Sequence, residues 1–396
     1  SLSDAVEHLG EVLGPDHPST LASRNNLAYA HQAAGRLGQA IALYEQNLTD
    51  SLRILGPDHP STLASRNNLA YAHQAAGRLG QAIALYEQTL ADSLRILGPD
   101  HPDTLTSRNN LAGAHESAGR LDQAIPLYEQ TLADSLRILG PDHPDTLTSR
   151  NNLAYAHESA GHLDQAIALY DQTLADSLRI LGPDHPDTLT SRNNLAYAHE
   201  SAGHLDQAIA LYDQTLADRL RILGPDHPDT LTSRNNLAGA HESAGRLDQA
   251  IALYEQNLAD RLRILGPDHP DTLTSRNNLA YAHRAAGRLD QAIALYEQNL
   301  ADRLRILGPD HPDTLTSRNN LAYAHRAAGR LDQAIPLYEQ NLTDSLRILG
   351  PDHPDTKIFR NNLASAYQAA GRSEDATVLF DPPPDSGAAD ADRPDE

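Results

Sequence analysis

Apolar residues recur every three or four positions in two stretches of the segment Gly98–Leu139. In the second stretch they share one face of a helix, and they are Leu121, Ala124, Ile125, Tyr128, Leu132, Leu136 and Leu139. In the first stretch they are Leu105, Leu111, Ala114, His115 and Ala118. Gly119 separates the two stretches, and Gly98-Pro99 precedes the first of them. The pattern predicts helix A from about Pro102 to Ala118 and helix B from about Leu121 to Leu139, each with its apolar stripe in the core.

This two-helix pattern repeats along the chain. The sequence GPDHP begins at Gly14, Gly56, Gly98, Gly140, Gly182, Gly224, Gly266, Gly308 and Gly350, a period of 42 residues (56 minus 14). The block Gly140–Leu181 differs from Gly182–Leu223 only where Ser177 becomes Arg219. Such a period is typical of a solenoid, in which neighbouring units bury each other's apolar faces. We predict an all-α fold, an α-α superhelix of stacked antiparallel helix hairpins in one elongated domain.

The repeat also predicts the division of the chain. We expect residues 1–13 to be the end of a preceding repeat's second helix and residues 14–349 to form eight 42-residue blocks. Residues 350–380 are expected to form a divergent C-terminal capping repeat. Residues 381–396, rich in Asp and Pro, are expected to be a disordered tail because they cannot bury apolar area. The start without Met, inside an expected helix, suggests that the chain is a fragment of a larger protein.

Composition narrows the classes of partner. The formal net charge is −22, and no basic patch interrupts the even spread of acidic residues. Nucleic acid and anionic membranes both require Lys and Arg to neutralise phosphates, so we expect neither as a partner. The chain has no cysteine, which fits a reducing compartment, and we expect a cytoplasmic location.

Histidine and the other reactive side chains do not predict a catalytic or metal site. Of the 20 histidines, nine lie in the GPDHP junctions and eight recur at the position of His115. Equivalent residues of stacked repeats lie about 10 Å apart, too far to share a zinc ion. His157 and His162, which flank a glycine turn, are at most a weak pair. Ser107, His115 and Asp122 recur with the array rather than forming one preorganised site. We therefore expect no cofactor, no metal and no enzymatic activity.

The block resembles the tetratricopeptide repeat (TPR). The residues that carry the resemblance are Leu111-Ala112, Gly119, Leu121, Ala124 and Tyr128, together with the strings LGPDHPDT and NNLA, which are similar to the 42-residue variant of kinesin light chains and bacterial TPR regulators. The resemblance extends from about Asp4 to Phe380. It implies a right-handed superhelix whose concave groove is lined by helix A and holds peptides. The block departs from the common pattern at Arg108, where Trp is frequent, and at Thr131 or Asn257, where Ala is usual.

Helix A carries a second, polar stripe at spacings of three and four. Asparagine is an indifferent helix former, so the recurring Asn pair with Tyr beside it requires an explanation. Asn matches the hydrogen-bonding groups of a peptide backbone, and Tyr offers a flat apolar surface with a polar tip. We predict peptide-binding residues at Asn25, Tyr29, Asn67, Tyr71, Asn109, Asn151, Tyr155, Asn193, Tyr197, Asn235, Asn277, Tyr281, Asn319 and Tyr323. The alternative is that one Asn of each pair ties its helix to the preceding repeat.

One position of this stripe changes its charge along the chain. It is acidic at Glu116, Glu158, Glu200 and Glu242 and basic at Arg284 and Arg326. An extended ligand with basic residues near its centre and an acidic group toward the C-terminal repeats would match this edge of the groove, and we include these six residues in the predicted site. The alternative is random drift after duplication. Gly113 and Gly239 replace Tyr in two blocks, either to admit bulky ligand side chains or as tolerated substitutions.

Two functions from different classes follow. The first is a non-enzymatic scaffold that binds a protein or extended peptide, as the sensing or interaction part of a larger bacterial signalling protein. The second is a structural array that self-associates head to tail through the open N-terminal end. A concentration-independent monomer in light scattering would argue against the second.

Overall fold

The computed structural model describes residues 10–380, and this part of the chain is helical with short connecting turns. Residues 10–13 are helical, and residues 1–9 and the predicted tail 381–396 lie outside the described residues. Each block supplies an odd-numbered helix A and an even-numbered helix B. The helices are α1 Pro18–Ala33, α2 Leu37–Leu55, α3 Pro60–Ala75, α4 Leu79–Ile96, α5 Pro102–Ser117, α6 Leu121–Ile138, α7 Pro144–Ser159, α8 Leu163–Leu181, α9 Pro186–Ser201, α10 Leu205–Leu223, α11 Pro228–Ser243, α12 Leu247–Leu265, α13 Pro270–Ala285, α14 Leu289–Leu307, α15 Pro312–Ala327, α16 Leu331–Ile348, α17 Pro354–Ala369 and α18 Ser373–Val378.

The GPDHP junction ends one helix B and begins the next helix A. Gly140 has a φ of 87°, a left-handed conformation that favours glycine and stops the preceding helix. His143 then caps α7, because its Nδ1 accepts a hydrogen bond from the backbone N–H of Asp145 at 3.1 Å. The proline that follows occupies the first turn, where no backbone donor is needed. The junction histidines are therefore helix caps.

Unit 1 of the chain is Ser1–Gly203, and its described part contains α1–α9. A representative core cluster joins α5, α6 and α7, and it contains the fully buried Ala112 and Ala124, the ring of Tyr128, and Leu153 and Ala156 from the next helix A. Alanine lets the helices approach closely, and each Tyr of helix B fills the space between two hairpins. The core is thus shared between neighbouring hairpins.

Unit 2 is His204–Glu396, and its described part contains α10–α18. Its clusters repeat the arrangement, for example with Ala280, Tyr296, Leu300, Leu321 and Ala324 from α13, α14 and α15. The C-terminal hairpin replaces the recurring His and Ser with Tyr367 and Phe359, which are 8% and 5% exposed. The prediction of an all-α array of stacked hairpins is confirmed within each unit.

One position of the predicted core stripe is wrong. Leu136 is 39% exposed, whereas its neighbour Ser135 is 1% exposed. The Oγ atoms of Ser135 and Ser149 lie 3.3 Å apart, so the end of α6 meets α7 through two small side chains. This close approach turns Leu136 outward.

A buried ion pair joins Arg108 of helix A to Asp134 of helix B within one hairpin. The guanidinium Nη1 of Arg108 donates to Asp134 Oδ2 at 2.8 Å, and the arginine side chain is 3% exposed. The same pairing of helix A with helix B recurs at Arg24–Asp50, Arg66–Asp92, Arg150–Asp176, Arg234–Asp260, Arg276–Asp302 and Arg318–Asp344. A buried ion pair thus occupies the position where Trp is frequent.

Candidate functional site

The tyrosines of the predicted site lie on the exposed side of helix A. Tyr29, Tyr71, Tyr155, Tyr197 and Tyr281 are between 45 and 65% exposed. Tyr323 is half-buried. Because each occupies the same register of successive helices A, the rings form a row along each unit. Large exposed aromatic surfaces in such a row are typical of protein interfaces.

The asparagines beside them are half-buried and bridge neighbouring repeats. In unit 1 the Nδ2 of Asn152 donates to the Oδ1 of Asn109 at 2.8 Å, and Asn194 donates to Asn151 at 3.0 Å. The equivalent bonds are Asn68 to Asn25 in unit 1, and Asn278 to Asn235, Asn320 to Asn277 and Asn362 to Asn319 in unit 2. The second Asn of a pair thus ties its helix to the preceding repeat. A ligand role for the first Asn stays a prediction.

The acidic positions of the site have partners in the core. The hydroxyl of Tyr128 donates to Glu116 Oε2 at 2.9 Å, and Tyr170 donates to Glu158 at 3.4 Å. Glu116 and Glu158, like Glu200 and Glu242, are half-buried. Burial raises the pKa of Glu116 and Glu158, and the hydrogen bonds from tyrosine oppose this shift. These carboxylates therefore connect the helix A face to the core as well as giving it charge.

The basic positions in unit 2 are stacked between tyrosine rings. The guanidinium carbon of Arg284 lies 4.5 Å from the centre of the Tyr281 ring and 4.4 Å from that of Tyr323. Arg326 lies 5.0 Å from the Tyr323 ring, and its Nη1 donates to Ser365 Oγ at 2.7 Å. These contacts are cation–π interactions. Arginine and tyrosine thus form one continuous surface here.

The structure also shows a feature that the sequence analysis missed, a row of clefts in unit 1. A cleft of about 210 Å³ opens between α7, α8 and α9, and its lining includes Thr148, Asn151, Ser177, Asp187 and Ser191. Equivalent clefts of about 220 and 180 Å³ lie one and two blocks earlier, and the first of the row measures about 470 Å³. Asn67, Asn109 and Asn151 of the predicted site each line one of them. The sequence signal that marks these clefts is the difference between Ser177 and Arg219, the single position at which two otherwise identical blocks differ.

Within residues 10–380, no group of three or more His, Asp or Glu side chains could hold a metal ion. His157 and His162 lie side by side, with their Nδ1 atoms 3.3 Å apart. In the same range no helix is both long enough and apolar enough to cross a membrane.

Comparison with protein families identifies the repeat. A model described as tetratricopeptide repeat matches residues 1–49, 25–93, 67–137, 109–178, 161–221, 205–261, 236–301, 277–343 and 319–381. These matches cover nearly the whole chain. The comparison with curated proteins found no match.

Similar solved structures also consist of such repeats. A Podosopora anserina protein described as a kinesin light chain with nearly identical TPR-like repeats is 33% identical over 52% of this chain and 97% of that chain, with a TM-score of 0.48. BtubC (BKLC) from P. vanneervenii is 23% identical over 59% of this chain and 94% of that one, with a TM-score of 0.50. The apo form of the quorum sensor NprR from B. thuringiensis is 12% identical over 91% and 97%, with a TM-score of 0.54, a likeness of fold alone.

Proposed function

The chain belongs to the tetratricopeptide repeat family as a kinesin-light-chain-like array, and we propose that it is a non-enzymatic scaffold that holds a protein or extended peptide against its helix A face. The observation that carries the proposal is the row of exposed tyrosines in register with half-buried asparagines. Tyrosine supplies contact area at a low entropic cost because it has only two side-chain torsions. We extend the proposal to the sensing or interaction part of a larger bacterial signalling protein in the cytoplasm.

The asparagines bridge neighbouring repeats and are therefore unsuitable targets for a test of binding. An Asn→Ala variant would break the bridges between repeats, so a loss of binding could not be separated from a loss of structure. Tyr71, Tyr155 and Tyr197 are better targets, because their rings are more than half exposed. Replacing all three with Ala removes aromatic surface and leaves the asparagine bridges in place.

The test is affinity capture from a bacterial lysate, quantified by mass spectrometry. The control variant carries Leu94→Ala, Leu178→Ala and Leu220→Ala, which truncate exposed leucines of helix B in the same blocks. We expect a protein or peptide to be enriched on the intact chain and on the leucine control, and its enrichment to fall about tenfold or more on the tyrosine variant. Equal enrichment on the two variants, with helix content unchanged, would contradict a role for the helix A face.

A further inference from the structure

The clefts of unit 1 have a counterpart in unit 2 that shows what they can hold. In unit 2 the position of Ser177 is taken by Arg261, whose side chain is buried between α12 and α13. Its Nη1 donates to the backbone oxygen of Asp271 at 2.9 Å and to Ser275 Oγ at 3.0 Å. Arg219 makes the same two bonds, to Asp229 at 3.1 Å and Ser233 at 2.8 Å. A guanidinium group therefore fills this space in unit 2.

The acceptors for that guanidinium are already present in unit 1. Asp187 and Ser191, the equivalents of Asp271 and Ser275, both line the cleft beside Ser177. The Oγ atoms of Ser177 and Ser191 lie 3.4 Å apart, and Ser191 Oγ donates to the backbone oxygen of Asp187 at 2.8 Å. The other lone pair of that carbonyl oxygen accepts the helical N–H of Ser191, so rotation of the Ser191 hydroxyl would free one lone pair and leave the hydroxyl oxygen able to accept a hydrogen bond. A donor entering the cleft would meet the contacts that Arg261 makes.

Charge at the mouth of each cleft favours a cationic group. Asp103, Asp145 and Asp187 each line one cleft, and their carboxylates are 71 to 76% exposed. The half-buried Glu116 and Glu158 lie one turn beyond the aromatic position on the same helix A face. The net charge of −22 adds to the negative potential of this surface. Arginine is better suited than lysine because it is more weakly hydrated and presents several fixed donors.

We infer that the clefts of unit 1 are specificity pockets for arginine side chains of an extended basic peptide. This inference rests on the proposed function, since it names the ligand class for the same helix A face. Successive clefts are separated by one repeat, about 10 Å, and a chain in the polyproline II conformation advances about 3.1 Å per residue with three residues per turn, so that every third side chain faces the same way. The ligand therefore carries arginine at about every third position.

The sequence of the following block shows which substitution would close a cleft. Ser177→Arg makes the block Gly140–Leu181 identical to the block that follows it, so the new side chain enters an environment already used in this protein. The closed chain carries Ser93→Arg, Ser135→Arg and Ser177→Arg. A charge-matched control carries Gln88→Arg, Gln130→Arg and Gln172→Arg, which add the same charge at exposed positions of the same helices B.

The probe is a fluorescein-labelled peptide of about 12 residues with arginine at about every third position among Gly and Ser. Its matched peptide carries citrulline, which is uncharged, in place of arginine. Fluorescence anisotropy measures the Kd of each peptide for the intact, closed and charge-matched chains.

We expect the arginine peptide to bind the intact chain more tightly than the citrulline peptide. Closing each cleft is expected to weaken binding by about tenfold, and the charge-matched control should retain most of the affinity. Equal weakening in the closed and charge-matched chains would overturn the inference, because it would reflect net charge alone. The tyrosine variant reports separately on the proposed function, so the scaffold role can stand while the arginine pockets fail.

Discussion

Units 1 and 2 repeat the same hairpin but fill the space between hairpins differently. In unit 1 two serines meet, as in the pairs Ser93 with Ser107 and Ser135 with Ser149, and a cleft opens beside them. In α10, α12 and α14 of unit 2 the first serine is replaced by Arg219, Arg261 and Arg303. The backbone pattern and the apolar core stay the same. One buried position per block therefore changes the surface that the array offers to a partner without changing the fold.

The hairpins with a buried arginine also bury polar groups that are poorly solvated or unpaired. Burial lowers the pKa of Arg219, Arg261 and Arg303, because the charged guanidinium loses solvation, and the neighbouring aspartates only partly oppose this. Asn257 in the same helix as Arg261 is fully buried, and neither amide atom has a partner among the described residues. Thr131 and Thr173 hold that position in α6 and α8 of unit 1, with hydroxyls that donate to backbone oxygens four residues earlier. The hairpins of α12 and α14, which bury both Asn and Arg, are therefore expected to be less stable than those of α6 and α8.

The largest effect should come from a feature that the two units share. Arg150 in unit 1 and Arg276 in unit 2 are each buried and paired with an aspartate of helix B. Replacing either with Met removes one partner of a buried ion pair, which is expected to destabilise its hairpin by about 3 kcal/mol. Hydrogen exchange of the affected hairpin, alongside denaturant unfolding, measures this locally. If the losses of unfolding free energy in the two variants differ by more than about 1 kcal/mol, the two units also differ in the contribution of this ion pair.

The second-largest effect should have opposite signs for exchanges made in the two units. Asn299 is fully buried with both amide atoms unpartnered among the described residues, whereas Thr173 in unit 1 donates to Leu169 O at 2.9 Å. Asn299→Thr is expected to stabilise unit 2 by about 1 to 2 kcal/mol, because unsatisfied buried groups are removed. Thr173→Asn should destabilise unit 1 by a similar amount. Thermal unfolding of both variants tests the pair, and a stabilising Thr173→Asn would contradict the explanation.

The hairpins could be predicted from sequence, because glycine, proline and a helical apolar period recur at a constant 42-residue spacing. Leu136 was placed in the core wrongly because periodicity cannot reveal that Ser135 and Ser149 draw two helices together. The clefts escaped prediction for a related reason, since their volume depends on which small polar side chain lies between helices. The Asn109 to Asn152 bridge joins different repeats, and sequence could only leave it as an alternative. Local order is encoded in the pattern, whereas contacts between repeats depend on side-chain volume.

A smaller effect common to both units should depend on pH. Burial lowers the pKa of His115 in unit 1 and His283 in unit 2 below the ordinary 6.5, with smaller contributions from nearby charges. The unfolded chain then binds more protons than the folded chain, so stability rises with pH in this range. We expect stability to be complete above about pH 6.5 and to fall as the pH decreases through that value. His115→Gln with His283→Gln should flatten the slope of unfolding free energy against pH, and an unchanged slope would contradict this origin.

The smallest effect concerns the position that is acidic at Glu116 of unit 1 and basic at Arg284 of unit 2. In unit 1 the hydroxyl of Tyr128 donates to Glu116, whereas the hydroxyl of Tyr296 in unit 2 is buried without a partner among the described residues and Arg284 stacks on tyrosine rings instead. Arg284→Met should destabilise unit 2 by about 1 kcal/mol through the lost stacking. Arg284→Glu should destabilise it less, by about 0.5 to 1 kcal/mol, because Tyr296 regains an acceptor. Chemical denaturation of the two variants measures which of them has the lower free energy of unfolding. If the Glu variant is the less stable, stacking and net charge outweigh the hydrogen bond, and the two versions of this position are not interchangeable.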